Sequence, residues 1–520
     1  MGTTRALARS DGHGARASGE ARDAERATRV PGEGSPDAVA TPGARASAEA
    51  GEAPGRRLSL RAHPGWIVVL AMSAILLRCV MATGLSGDVY WQLAAGKWML
   101  AHHAIVRHDV FSYTVRGRPW LDEEWGFQVL LALCVKTIGP TAFWILPAGA
   151  SIAALLVSVA RWRVSGAGWS WIATLAVVAG GCLALGDVAR PQVASYLLFA
   201  CELLVLRLAR RAAAWLVALP PLLGIWANLH GSFLAGLAVL GVELLLARFT
   251  SRGARVRTSA PLPLRSAALA FGASLAATLA NPHGPALLAY AFRVSTSPAL
   301  GALVEEWQSP NFHSLLLVAL VLAPAAVVVA QLALGSRSFE AFDLIVWGAM
   351  LVASLHAQRF IPYLGIAWGG LEARLGPQRL AGARPSLLTG PLAAVVAGAS
   401  LLGPVVPAGA GASGMPVAAV AWLAPRSGRV LSTYLWSDYL IYAGRPVFVD
   451  GRTDLYFGTP ILGDWVRIAA LRVDPDPILS QFRIRYVLWP ARSPLAVFLS
   501  GDARWRVVHR SGDAIVFERR

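Results

Sequence analysis

Lysine is almost absent from this 520-residue chain: Lys97 and Lys136 are the only two, so nearly all of its 47 Lys and Arg residues are arginines. Cysteine is scarce as well. Cys79, Cys134, Cys182 and Cys201 fall in or beside apolar segments without metal-ligand spacing, which excludes a disulfide framework and a zinc site. Charge of either sign is sparse. Charged residues make up 15% of the chain against 55% hydrophobic ones, and the mean hydropathy of +0.52 excludes a soluble protein of this size. A formal net charge of +17 would suit nucleic acid, but the arginines lie in short segments between apolar runs, as orientation signals do. Nucleic acid is therefore not expected as a partner.

Residues 1–62 are rich in Ala, Gly, Arg, Glu and Pro, with mixed charge and no apolar periodicity. They are expected to form a disordered cytoplasmic tail, too polar for a signal peptide. Beyond this tail, long apolar runs dominate as far as residue 407. A spanning helix needs roughly 17–25 residues, and runs at 66–83, 141–160, 168–186, 191–208, 212–229, 231–249, 264–281, 314–335, 341–357, 360–373 and 386–407 give about 11 spans. The run from Glu124 to Ile138 is shorter, opens on acids and is interrupted by Lys136, which suits an interfacial or re-entrant helix. If it does not cross, Arg161 and Arg163, Arg207 to Arg211, Arg248 to Arg265, Arg337, and Arg374 to Arg384 all fall on the cytoplasmic side.

That parity puts the unusual polar clusters on the opposite, external face. The first and largest is the loop from Ser86 to Trp125, which carries Asp88, Asp109, Asp122, Glu123 and Glu124 among aromatics. Acids beside a membrane are costly unless they react, bind or sit in water. Asp88 is placed to N-cap an interfacial helix to about His102, and a capping carboxylate can also face a cavity. Asp109 either initiates a turn before a strand-like Val110 to Val115 or acts as a second acid. Glu123 and Glu124 suit a solvated helix start. Arg190-Pro191 reads as a helix start whose guanidinium can hold phosphate. His230 and His283 sit in Asn-containing turns that end on Gly, where structural and catalytic roles both fit. Arg359 stands at the outer end of a span, where a snorkelling role also fits.

From Gly411 the character changes. Residues 430–432, 446–450, 486–489, 505–509 and 514–518 read as strands, and 459–472 and 493–500 as helices. The expected architecture is an all-α polytopic bundle over 63–409, with an external loop at 84–140, and a small external α/β domain over 410–520.

The outer loop GDVYWQLAAGKWMLAHHAIVRHDVFSYTVRGRPWLDEEW, followed by ARPQ, IWANLHGSFLAG, NPHG, EEWQSPNF and YLWSDYLIYAGRPVFVDGRTDLY, resembles bacterial membrane proteins grouped with the GT-C glycosyltransferases, relatives of the protein mannosyltransferases. The resemblance covers roughly residues 64 to 520. It implies a bacterial inner-membrane enzyme that uses a polyprenyl-phosphate-linked sugar and a glycan, lipid or protein acceptor. Asp88 occupies the position of the general base; Asp109, read from the loop itself, is the second candidate catalytic acid. Arg190, Arg359 and then His230 would stabilise the departing phosphate of an inverting transfer. Glu124, His283, Glu306, Trp436, Asp438, Asp450 and Arg452 are candidate acceptor or loop contacts. No cofactor is required, although a divalent metal near Glu305 and Glu306 is allowed. Trp436-Ser437-Asp438-Tyr439 faintly resembles the Trp-Trp-Asp-Tyr-Gly motif of oligosaccharyltransferases, but one Trp and the Gly are missing, so sequon recognition is not carried over. A transporter and a non-catalytic envelope-assembly protein are the alternatives.

Overall fold

The computed structural model describes residues 64–83, 87–186, 189–249, 262–297, 304–333, 340–372 and 414–520, all inside one compact unit, Arg61–Arg520. The tail 1–62, the run 386–407 and the loop arginines Arg252, Arg255, Arg257, Arg337, Arg374, Arg379 and Arg384 lie outside the described residues.

Each apolar run within the described residues is helical. The helices are α1 (Pro64–Thr83), α2 (Asp88–His102), α3 (Trp125–Ile138), α4 (Ala142–Val164), α5 (Trp169–Ala184), α6 (Gln192–Ala209), α7 (Leu219–Leu229), α8 (Phe233–Phe249), α9 (Leu264–Thr278), α10 (Ala286–Ser295), α11 (Ala323–Ala333), α12 (Ala341–His356) and α13 (Ile361–Glu372). By length and composition, Trp125–Val164 and Gln192–Ala209 are long and apolar enough to cross a membrane, and shorter apolar stretches include Trp171–Ala184, Ala213–Leu229, Ala286–Ser295, Leu315–Ala330 and Ala341–His356. The first of these stretches is broken at Gly139, whose φ of +67° and following Pro140 separate α3 from α4. The helix α10 forms between the apolar runs 264–281 and 314–335, where the sequence pattern predicts only a loop.

The basic helix ends meet at one end of the bundle. Arg207 of α6 and Arg210 just after it pair with Glu340 at 2.9 and 2.8 Å, Arg210 reaches Glu243 of α8 at 2.8 Å, and Arg161 of α4 donates to the Ile366 carbonyl of α13 at 2.6 Å. The polar signatures His230, Arg190 and Arg359 stand at the other ends of these helices.

The C-terminal region adds α14 (Val417–Leu423), α15 (Tyr434–Tyr442), α16 (Ile461–Ala469), α17 (Asp476–Gln481) and α18 (Pro494–Gly501) around a four-stranded sheet of order β1-β2-β4-β3. Its strands are β1 (Arg429–Ser432), β2 (Ile484–Pro490), β3 (Trp505–Ser511) and β4 (Ala514–Arg519); β1 runs parallel to β2, and the other pairs are antiparallel. Two expected strands are absent: Val110 to Val115 and Pro446 to Asp450 meet only as a single bridge, Ser112 to Val447. The reason is local. The Asp109 carboxylate takes the backbone N–H groups of Phe111 and Ser112 at 3.1 Å each, which turns the chain before a ladder can extend.

The helix α2 carries two apolar stripes. Val89, Tyr90 and Leu93 enter the bundle core, whereas Trp91, Ala95 and Met99 join Val106 and Trp120 in a second core shared with the C-terminal sheet. The outer loop is thus packed between the bundle and the C-terminal domain. Close approach fixes its position: a side chain at Gly96 would meet the Gln128 carbonyl of α3 at 2.0 Å. Backbone cannot yield to such a clash, so only glycine allows α2 to lie on α3.

Candidate active site

At the end of the bundle opposite the basic helix ends, under the C-terminal domain, lies a cavity of about 530 Å³. Asp88, Arg190, His230 and Arg359, far apart in the chain, all line it. Asp88 is the first residue of α2, and Gly87 is its N-cap, without a side-chain cap bond. The capping role expected for Asp88 is therefore wrong. Its carboxylate turns into the cavity, where Oδ2 pairs with Arg190 at 2.6 Å and Oδ1 accepts the Trp91 indole N–H at 3.4 Å.

Arg190 stands before Pro191 at the start of α6 and links Asp88 to Glu306 through a second, short ion pair. Glu306 also reaches Arg359 at 3.6 Å, and that guanidinium lies 4.2 Å over the Trp307 ring. Although burial opposes its ionisation, Arg190 and Arg359 hold Glu306 below its usual range. Among the described residues no three His, Cys, Asp or Glu side chains are grouped closely enough to hold a metal ion.

His230 ends α7 in extended backbone. Its Nδ1 lies 3.0 Å from Ser195 Oγ and 2.7 Å from Ser232 Oγ. The Ser232 hydroxyl already accepts from the Tyr363 hydroxyl at 2.9 Å and from Trp226 Nε1 at 3.3 Å, which leaves its proton for Nδ1, and the Ser232 backbone N–H approaches the same nitrogen at 3.3 Å. The network assigns the proton of the neutral ring to Nε2, which points at Glu124 Oε1, 3.9 Å away. Burial, helped by Arg359, pushes His230 down to about 3, so the ring is a neutral donor.

The Asp122, Glu123 and Glu124 wall is not the solvated helix start the sequence suggested. Asp122 accepts the Gln128 amide at 2.7 Å, and Glu124 accepts the Gln92 amide at 3.0 Å. Burial pushes Asp122 up to about 7 and Glu123, beside Asp454, up to about 8; Glu124 rises well above its usual range. Relative to 4.5 for a free glutamate, the Glu123 shift means that the folded state binds the extra proton. Its stabilisation is fully present below the unfolded value and is lost as pH rises through about 8. Glu123→Gln is expected to raise the melting temperature above about pH 8 and barely move it near pH 5. Thermal unfolding in detergent at both pH values decides this, and equal shifts at both would remove the protonated carboxyl.

Of the other expected residues, Asp438 and Arg452 line the cavity with Glu124 and Glu306, whereas Asp109, Asp450, His283 and Trp436 do not. Asp109 is the main correction. Its side chain is fully buried, pairs with Arg452 Nη2 at 2.8 Å and holds the turn at Ser112. Asp450 grips the same guanidinium through Nε at 2.8 Å and Nη2 at 2.7 Å, and accepts the Tyr456 hydroxyl at 2.8 Å. This cluster ties the outer loop to the C-terminal domain. His283 braces the Asp122 backbone carbonyl at 3.2 Å from outside the cavity, and Trp436 spends its indole N–H on the Gly414 carbonyl at 2.7 Å.

Residues not singled out in the sequence also line the cavity: Gln92, Tyr434 and Asp454, which lie inside the quoted motifs, and Tyr290, which lies outside them. Tyr290 of α10 donates to Asp454 at 2.7 Å, joining that helix to the C-terminal domain. The Asp454 signal lay in the DGRTDLY stretch, but sequence shows no reason to separate it from Asp450.

Solved structures share this fold. The Archaeoglobus fulgidus oligosaccharyltransferase in its apo form superposes with a TM-score of 0.52 at 12% identity, covering 83% of this chain and 70% of that one. ArnT from Cupriavidus metallidurans in the apo state also gives 0.52, at 17% identity, covering 87% of this chain and 97% of the other. The archaeal oligosaccharyltransferase AglB, solved with an inhibitory peptide and a dolichol-phosphate, gives 0.50 at 13% identity, covering 82% and 69%. No family model and no curated protein matches the chain by sequence. The chain shares the fold of the oligosaccharyltransferase and ArnT structures, here a helical bundle followed by a small C-terminal sheet domain.

Proposed function

We propose that this protein is a membrane glycosyltransferase that moves a sugar from a polyprenyl-phosphate donor to an acceptor on the external face of the bacterial inner membrane. The observation that carries this reading is the gathering of Asp88, Arg190, His230 and Arg359 on one cavity at the end of the bundle. Asp88 acts as general base: it takes the proton of an acceptor hydroxyl as that oxygen attacks the anomeric carbon. The bond to the phosphate breaks on the opposite face, so configuration inverts. Arg190 and Arg359 hold the departing phosphate, and the neutral His230 donates Nε2–H to it.

The positive-inside pattern supports a cytoplasmic tail at 1–62 and an external C-terminal domain over 410–520 that roofs the site. Neighbours with this fold include a protein solved with a dolichol-phosphate, which supports a lipid-phosphate donor. A transporter would concentrate ionisable groups midway along the helices; here Glu202 is a buried carboxylate midway along α6, whereas Asp88, Arg190, Glu306 and Arg359 gather on the cavity at the helix ends. Transfer of radiolabelled sugar from polyprenyl phosphate to envelope acceptors, in membranes that carry the protein, tests the reading. Label should appear in a glycan, lipid or protein fraction; its absence with every polyprenyl-phosphate sugar offered would end the proposal.

A further inference from the structure

Asp438 comes from α15 of the C-terminal domain, yet it sits against the start of α2. Gly451 marks the contact: a side chain there would lie 2.5 Å from Asp88 Oδ1, 2.8 Å from Trp91 Nε1 and 3.1 Å from Asp438 Oδ2. A side chain at Gly87 would come within 3.1 Å of the same Asp438 oxygen. Two carboxyl groups from different parts of the chain therefore flank the same backbone position.

Their hydrogen bonding differs. Asp88 has the Arg190 guanidinium on one oxygen and the Trp91 indole on the other, and a quarter of its side chain, 24%, opens to the cavity. Asp438 is fully buried; its Oδ1 accepts the Gly451 N–H at 2.9 Å, and its Oδ2 has no donor. An ionised oxygen buried without a donor is strongly disfavoured, whereas a protonated one that faces a carboxylate is satisfied. We infer that Asp438 and Asp88 form a carboxyl pair in which Asp438 keeps the proton and donates it as a hydrogen bond to Asp88, orienting the base.

This inference rests on Asp88 being the base of the proposed transfer, with Asp438 as a positioning residue supplied by the C-terminal domain. The groups facing the pair agree. Asp450 and Tyr434 add no positive charge to Asp438; Arg452, gripped by Asp450 and Asp109, is the one cation facing it and acts on it less than Asp88 and Asp450 do, and Arg190 and Glu306 lie on the Asp88 side. Burial, then the charges of Asp88 and Asp450, push Asp438 well above the usual carboxylate range. During transfer Asp88 takes the acceptor proton, and the pair then holds two protons until one returns to solvent.

Two measurements test the pair. Infrared difference spectra of the purified protein at neutral pH, wild type minus Asp438→Asn, should show a protonated carboxyl C=O band. A carboxylate band in its place would overturn the inference, whether or not the protein transfers sugar. In the transfer assay, Asp438→Ala should lower kcat about 100-fold and Asp438→Asn about tenfold, with donor KM little changed, because the amide N–H replaces the lost O–H donor. Wild type should lose activity at alkaline pH as Asp438 ionises, and Asp438→Asn should lack that limb. Equal kcat losses with the wild-type pH profile in both variants would reduce Asp438 to packing. A protonated Asp438 in a protein that transfers no sugar would instead overturn the assigned reaction.

Discussion

Asp88→Asn is expected to lower sugar transfer by about 10³-fold, with the protein still folded, since a positioned general base contributes of that order. Asparagine keeps the shape and can still accept from Trp91, but it cannot take up a proton. Arg190 keeps its partner Glu306, so no guanidinium is stranded. The measurement is the single-turnover rate with lipid-linked sugar in excess, read beside a melting curve. Transfer at the wild-type rate would remove Asp88 from the mechanism, and the geometry of the cavity would need another base.

The second large effect concerns stability. Arg452 is buried between Asp109 and Asp450, with its guanidinium 4.8 Å over the Trp120 ring. Arg452→Met fills the space but leaves two buried carboxylates without their cation, and breaking such a cluster costs about 3–5 kcal/mol. The expected result is a large fall in melting temperature and exposure of the second core, read by limited proteolysis of the outer loop. Adding Asp109→Asn and Asp450→Asn should recover part of the loss by neutralising the stranded charges. A single substitution without effect on melting would show that the cluster is not what joins the outer loop to the C-terminal domain.

Much of the bundle was legible because apolar runs declare themselves by length, and breaks such as Gly139-Pro140 and Arg190-Pro191 punctuate them. The four residues that meet at the cavity, Asp88, Arg190, His230 and Arg359, stood out for a related reason: a charged or imidazole side chain at the end of an apolar run contrasts with its neighbours. Depth was not legible. Asp88 and Asp109 look alike in sequence, yet one opens to the cavity and the other is fully buried in the hub around Arg452. Val110 to Val115 has strand-like composition, but hydrogen bonds from its Phe111 and Ser112 N–H groups to the Asp109 carboxylate turn the backbone instead.

Sequence alone determined that this is a membrane chain with its basic residues between apolar runs and its acids in the loop after the first run, because hydropathy and charge are local properties. Tertiary structure decided which of those acids meet. Asp438, Arg452 and Asp454 reach the cavity only because the C-terminal domain folds back over α2, through contacts between segments hundreds of residues apart, and no local pattern encodes such distances.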